Sequence, residues 1–147
     1  MAETLGAIEP AGSMGLAALL ADARPGVRLV VISDFLSDEE QTRRAASALM
    51  AAHCDVHAVH VVAREELDPS GQAIRAADPE DPTILRPLDD VMRARYVNNF
   101  ARWRERTAAA WRQAGSTWTE VRTDEDAARA VRRVIGASSG EAVVGAR

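Results

Sequence analysis

Two apolar runs separated by one helical segment constrain this fold more than any other feature. Residues 27–33 read VRLVVIS and residues 55–62 read DVHAVHVV, both with the near-continuous apolar character of strands covered on two faces. Between them, Ser37 and Glu40 have the spacing of a capping box, which predicts a helix over residues 38–52. A strand, a helix and a second strand predict parallel strands joined by a right-handed crossover.

The rest of the chain supplies further elements of the same kind. The spacing of apolar residues predicts a short helix before the first strand and a long helix that ends at Gly115. A proline-rich stretch, residues 63–88, predicts a small β-hairpin. Residues 118–122 predict a third strand, and Thr123 with Asp126 can cap a last helix over 124–135.

One apolar stripe on the long helix predicts the face that it turns toward a core. Its members lie three or four residues apart, as one helical face requires. They are Met92, Tyr96, Phe100, Trp103, Thr107, Trp111 and Ala114. The predicted fold is therefore α/β: a three-layer, Rossmann-like partial parallel sheet of about three strands with flanking helices and a hairpin insertion. This domain covers residues 1–136, and a flexible tail is expected over 137–147.

The composition and charge of the chain argue against several classes of function. The 147 residues fit one domain, and a net charge of -4 argues against bulk nucleic acid or an acidic membrane surface as a partner. All 18 basic residues are arginine, which excludes Schiff-base chemistry and a Walker lysine. The single cysteine cannot form an internal disulfide, and no segment has the length and apolar character of a membrane span. We expect a cytoplasmic protein.

A histidine and cysteine cluster raises the question of a metal site. Cys54, His57 and His60 lie close in sequence. On a strand, however, His57 and His60 point to opposite faces, so the three side chains cannot converge on one ion without a bulge. We favour histidines packed beside flanking helices and a buried thiol.

Arginines on the long helix suggest a second kind of site. Basic residues close to aromatic ones can form a nucleic-acid platform, but here the aromatic residues lie on the core stripe and most arginines lie outside it. A solvated face is the favoured interpretation. The alternative is docking of an acidic protein partner through Arg95, Arg102 and Arg106.

A carboxylate ends the first strand, in the stretch VVISDFL. Ligands of doubly wound sheets bind beyond the carboxyl ends of the strands, and Asp34 is expected at that edge. An acid at this position is also an ordinary turn or capping residue. A receiver-type phosphotransfer site would need a lysine, and a haloacid-dehalogenase-like acid pair would need an aspartate where Leu36 stands.

The order of these pieces resembles the bacterial family catalogued as domain of unknown function fifty-eight, which contains a von Willebrand factor A-like domain. The resemblance runs from about Ala11 to Ile135, and its most specific parts are ISDFL and the helix over residues 96–115. The family's DxSxS motif is absent from this sequence. The resemblance implies that this chain corresponds to the C-terminal half of such a domain.

By this resemblance, Asp34 takes the role of an aspartate in a metal-ion-dependent adhesion site, and Ser13 takes the place of its threonine. The site would be incomplete, with Mg²⁺ bound weakly if at all. The resemblance also implies a non-enzymatic protein-interaction module that works with a MoxR-type AAA+ ATPase in protein assembly or remodelling. Its predicted interaction face consists of Asp34, Phe35, Ser37, Asp38 and Asp124.

The strand order of such domains has a further consequence. The strand over residues 27–33 would pair with the missing first strand, so it would form an exposed apolar edge. We expect this edge to be covered, with self-association favoured. The alternative function is a small Rossmann-like metal-assisted hydrolase or phosphotransfer domain that uses Asp34, with Asp38 and Asp124 nearby.

Overall fold

The computed structural model describes residues 15–36, 39–69, 75–77, 85–87 and 89–140. Helices and strands alternate along the chain except at one pair of consecutive short strands. They are α1 Leu16–Ala21, β1 Arg28–Ser33, α2 Glu39–Ala51, β2 Asp55–Val62, α3 Arg64–Leu67, β3 Arg75–Ala77, β4 Leu85–Pro87, α4 Asp90–Gln113, β5 Thr117–Arg122 and α5 Ala127–Gly140.

Three strands form one parallel sheet in the order β1-β2-β5. Arg28 pairs with Asp55 at one end of β1, and Ser33 pairs with His60 at the other. The two short strands β3 and β4 form a separate antiparallel hairpin. The α/β, Rossmann-like prediction, the parallel strands and the hairpin insertion are confirmed.

One face of the sheet is packed against helices α1, α2 and α4, and we call it the helix-covered face. Its core combines aliphatic side chains from the strands and helices with aromatic rings from the loops and α4. The buried members are Leu20, Val31, Phe35, Ala46, Leu49, Cys54, Val56, Ala58 and Trp111. Burial of this apolar surface is the main source of stability on this side.

The opposite face is covered by α5 alone among the described elements, and we call it the open face. Ala130 of α5 is 6% exposed, and Val59 of β2 is 4% exposed. Beyond α5, Val30 is 49% exposed and Ile32 is 68% exposed. The prediction that the strand over 27–33 is covered on both faces is therefore wrong for the open face, because α5 packs along β5 and β2 and does not reach β1.

The long helix α4 extends beyond the sheet that it covers. Its 24 residues span about 36 Å, whereas the six residues of β5 span about 20 Å. Thr107 and Trp111, in its second half, are buried, but Met92 and Tyr96 remain 43% and 38% exposed. The predicted apolar stripe thus reaches the core only from Trp103 onward, and the prediction is wrong for its first turns.

Local chemistry sets the helix ends. The carboxylate of Asp89 accepts a hydrogen bond from the Met92 amide at 2.7 Å and caps α4. Gly115, at φ +95°, ends this helix with its amide bound to the Arg112 carbonyl. The Asp126 carboxylate caps α5 by accepting from the Arg129 amide. Asp126 rather than Thr123 is therefore the cap residue.

Two predicted boundaries move. The last helix runs over Ala127–Gly140 rather than over residues 124–135. The capping box predicted for α2 cannot be followed, because Ser37 lies outside the described residues. Its other member, Glu40, binds Arg43 and Arg44 at 2.7 Å each. The division at residue 136 between domain and tail stays a prediction.

Across the described residues, none of the helices combines the length and apolar character needed to cross a membrane.

Candidate interaction site at the strand ends

The turn that follows β1 is built from its own side chains. The Leu36 amide donates a hydrogen bond to Asp34 Oδ1 at 3.1 Å, and the Phe35 amide donates to Ser33 Oγ at 3.0 Å. These are local turn bonds of the kind that aspartate and serine favour. Asp34 itself is exposed. Its carboxylate is therefore held in place at the carboxyl end of the sheet while facing solvent.

The side chain of Phe35 anchors this turn in the core. Its backbone has φ +57°, a left-handed conformation that is unfavourable for a residue with a bulky side chain. The ring is 3% exposed and lies 5.0 Å from the rings of both Trp111 and Trp118. The prediction that Phe35 belongs to the exposed interaction face is wrong, because the left-handed backbone turns its ring into the core.

A buried histidine supports the same turn. His60 is 1% exposed and lies level with Ser33 in the sheet. Its ring packs edge-on against Phe35 at 5.8 Å and against Trp103 at 5.6 Å. His60 thus links the turn to the aromatic core.

Charges flank the other side of His60. Its Nδ1 lies 3.7 Å from Oε2 of Glu120, and no hydrogen-bond partner of Nδ1 is found among the described residues. Glu120 is held by a bidentate bond from Arg104. Burial lowers the pKa of His60 below its usual value, while Glu120 acts in the opposite direction. The imidazole is therefore neutral near pH 7.

Asp124 stands at a different strand end and has its own partner. Arg122 binds its carboxylate through two hydrogen bonds of 2.9 and 2.6 Å, and this pairing lowers the pKa of Asp124. Neighbouring Glu125 is bound by Arg133, which lowers the pKa of Glu125 to about 2. Because β2 separates β5 from β1, Asp124 and Asp34 lie at ends of strands about 10 Å apart.

The predicted face is therefore described only in part. Asp34 and Asp124 are exposed at the same edge of the sheet but do not form one cluster. Ser37 and Asp38 lie outside the described residues, and so does Ser13.

The described side chains do not fit a stable Mg²⁺ site. Octahedral magnesium takes several oxygen ligands, but Asp34 offers one carboxylate, whose Oδ1 accepts from the Leu36 amide. In the ranges that the structure describes, no three histidine, cysteine, aspartate or glutamate residues group as a metal site would require. The incomplete site of Asp34 and Ser13 stays a prediction.

The histidine and cysteine cluster divides as strand periodicity predicts. His60 lies on the helix-covered face, whereas His57 lies on the open face with Nε2 2.8 Å from Thr119 Oγ1. Cys54 is 3% exposed, and its thiol lies 3.4 Å from the Arg24 carbonyl oxygen. The interpretation as buried histidines and a buried thiol is confirmed.

The three arginines of the predicted docking helix lie on one face of α4. Arg95, Arg102 and Arg106 are spaced at seven and four residues, which aligns them along the helix. All three are exposed. Asn99 lies between them and accepts from Arg102 at 2.9 Å. Within the described chain, none of the three forms an ion pair with an acidic residue.

Sequence reasoning missed two features. The first is the support beneath Asp34, where His60 and Phe35 meet Trp103 and Trp118. The register of β1 on β2 could have placed His60 beside the turn, but nothing local in the sequence indicates that Phe35 turns inward.

The second is a groove on the open face, which we call the open groove. It has a volume of about 350 Å³ between β1 and α5. Its exposed apolar residues include Val30 and Ile32 on the strand and Val131 and Ile135 on the helix. An apolar patch of this kind marks a surface that binds another molecule more often than it marks bare solvent contact.

Comparison with known proteins gives one distant likeness. No protein-family model matches the sequence, and no curated protein matches it. Among solved structures, the chain is similar to the crystal structure of the conserved hypothetical protein BatB from Bacteroides thetaiotaomicron, with 15% sequence identity and a TM-score of 0.45. The match covers 92% of this chain and 66% of that chain. A likeness at this level carries no functional information.

Proposed function

We propose that this chain is a non-enzymatic protein-interaction module, a shortened von Willebrand A-like domain that works with a MoxR-type AAA+ ATPase. In this proposal it self-associates through residues 27–33 and docks its partner at the strand ends around Asp34. The sequence resemblance supplies the partner class. The structure contributes the observation that most supports docking, which is an exposed carboxylate on a rigid turn.

The rigidity of this turn matters for recognition. A charge that is already held in its bound position loses little conformational freedom when a partner engages it. Asp34 is held by the Leu36 amide, and the next residue, Phe35, is locked in the core. The ring of His60 packs edge-on against Phe35 from the core side. The turn therefore presents one carboxylate in one orientation.

The arginine face of α4 supplies a second charged contact of opposite sign. Arg95, Arg102 and Arg106 would meet acidic residues of the ATPase, while Asp34 would meet a basic one. Such charges act mainly on specificity and on the rate of association. Two patches of opposite sign also fix the orientation of the bound partner better than one.

The test is binding of a purified MoxR-type ATPase from the source organism, measured by biolayer interferometry with a non-hydrolysable ATP analogue. Asp34→Asn keeps the oxygen that accepts from Leu36 and removes the charge, so the turn survives. We expect at least about tenfold weaker binding. Asp22→Asn is the matched control, because Asp22 is an exposed carboxylate before β1, at the opposite end of the sheet.

A second arm tests the arginines. Arg102→Glu combined with Arg106→Glu should slow association, whereas Arg129→Glu with Arg132→Glu, on α5, should not. Absence of any binding by the unmodified protein contradicts the proposal. Unchanged binding by Asp34→Asn contradicts docking at the strand ends.

A further inference from the structure

The backbone of β1 shows which groups face its open edge. The Asp55 amide of β2 donates to the Val27 carbonyl, so Val27 directs its polar groups toward β2. Residues of a strand alternate in this respect, and Leu29, Val31 and Ser33 share that direction. Val30 and Ile32 therefore direct their amides and carbonyls away from β2. Among the described elements, no strand pairs with β1 on that side.

A second copy of the chain fits this edge in one register better than in the others. We propose that two copies pair through β1 in antiparallel fashion, about a two-fold axis at Val31. This deepens the self-association in the proposed function by naming the partner strand and its register. Val30 of one copy then lies opposite Ile32 of the other, and each pair exchanges two hydrogen bonds. The two copies form one continuous six-stranded sheet.

Charge complementarity selects this register. Opposed residues have numbers that add up to 62, so Arg28 of each copy lies opposite Asp34 of the other. A shift by two residues in one direction would place Arg28 opposite Ile32 and leave the charges unmatched. A shift by one residue would place a residue whose amide and carbonyl point toward the other copy opposite one whose groups point toward β2. The hydrogen-bond ladder between the two copies could not then form. Arg28 also binds Asp55 within its own copy, at 2.7 Å, which would extend the pair into a three-residue network.

Apolar side chains support the same arrangement. Directly opposed residues of antiparallel strands lie on the same face, so the Val30 and Ile32 pairs all lie on the open face. There they continue the apolar floor of the open groove, between the exposed Val131 and Ile135 of the two α5 helices. Pairing also covers an apolar edge that no described strand of this chain protects, and proteins rarely leave such an edge uncovered.

Sedimentation velocity of the full chain tests the proposal. We expect a reversible dimer of about twice 15.8 kDa at concentrations near about 100 μM. Arg28→Asp places like charges opposite each other twice, and so does Asp34→Arg. Each variant alone should dimerise at least about tenfold more weakly. Their equimolar mixture should form a heterodimer, because both contacts then join opposite charges, and Arg28→Asp with Asp34→Arg in one chain should restore the homodimer.

Ile32→Lys provides a test that does not depend on these charges. The residue is 68% exposed, so the fold tolerates the change, which circular dichroism verifies. It should abolish the dimer, whereas Val91→Lys at an exposed position of α4 should not. A wild-type chain that stays monomeric overturns the proposal, as does a dimer that Ile32→Lys leaves intact. A dimer that Ile32→Lys disrupts without any charge rescue overturns the register alone.

Asp34→Asn alone removes both the docking charge and the charge opposite Arg28 of the other copy, so the charge-swapped chain is needed to separate these outcomes from those of the ATPase experiment. The chain that carries Arg28→Asp together with Asp34→Arg should dimerise and still fail to bind the ATPase. Failure of docking thus leaves the dimer proposal standing, and failure of the dimer leaves docking to be judged by Asp34→Asn.

Discussion

The two faces of the sheet use the same three strands but are covered very differently. On the helix-covered face, three helices and the aromatic rings of Phe35, Trp111 and Trp118 close over the strands. On the open face, α5 covers β5 and β2 and leaves Ile32 at 68% exposure. One face carries the core, and the other offers an apolar surface that a partner can bury.

This difference separates stability from recognition within one small domain. A change on the helix-covered face removes packing that the isolated chain already has. A change at an exposed position of the open face, such as Ile32 or Val131, removes surface that becomes buried only when a partner arrives. The following predictions test that division.

Trp111→Ala should produce the largest effect. The side chain is 3% exposed and packs 5.0 Å from the ring of Phe35. We expect a loss of about 3–5 kcal/mol in the free energy of unfolding, because a large cavity opens in the core. Urea denaturation followed by circular dichroism measures it.

The matched change on the open face is Val131→Ala, at a position that is 55% exposed. It should alter the free energy of unfolding by no more than about 0.5 kcal/mol. Similar losses for the two variants would mean that the open face contributes to the core of the isolated chain, and the division would fail.

Lowering the pH should reduce the free energy of unfolding through protonation of His60, on the helix-covered face. Burial holds the pKa of this residue below its usual 6.5, so the unfolded chain takes up a proton there before the folded chain does. The stabilising contribution is fully present above about pH 6.5 and is lost as the pH falls toward the lower folded pKa. Glu120 and Glu66 oppose this effect, Arg104 adds to it, and the loss should be smaller than that of Trp111→Ala.

Urea titrations at about pH 7.5 and about pH 5.5 measure this dependence. His60→Gln removes the titrating group, while His53 and His57 stay in both proteins. The free energy of unfolding should fall more steeply with acid in the wild type than in His60→Gln. Parallel pH dependence would show that protonation of His60 does not oppose folding.

The same two faces show how far the sequence determines the fold. Apolar runs placed β1 and β2, the segment over residues 118–122 placed most of β5, and the alternation of side chains placed His57 and His60 on opposite faces. These placements follow from local periodicity, which a single sequence carries. Which face of the sheet is left uncovered depends on where α5 packs. The periodicity of apolar residues does not determine that position. The apolar character of Val30 and Ile32 therefore predicts burial on both faces, whereas these two residues are exposed.

The candidate site divides in a similar way. The position of Asp34 at a strand end was predictable, because a β-branched run ends just before it. The inward turn of Phe35 was not, because it depends on a left-handed backbone that burial of the ring in the aromatic core stabilises. The core stripe of α4 failed over its first turns for a related reason, since the spacing of residues does not say where the sheet beneath a helix ends.

In dilute solution the effect of Ile32→Thr should be as small as that of Val131→Ala, and it should depend on protein concentration. In dilute solution the isolated strand edge loses only exposed apolar surface, so the free energy of unfolding should change by no more than about 0.5 kcal/mol. At high concentration the wild type gains stability from association, whereas the variant gains less. Urea midpoints measured at two protein concentrations separate the stability of the isolated chain from the stability gained by association. Val91→Thr, at a 76% exposed position on α4, is the control. If the wild-type midpoint stays constant while the variant matches it at both concentrations, the open face is not covered by a second copy, and a different partner must account for its apolar surface.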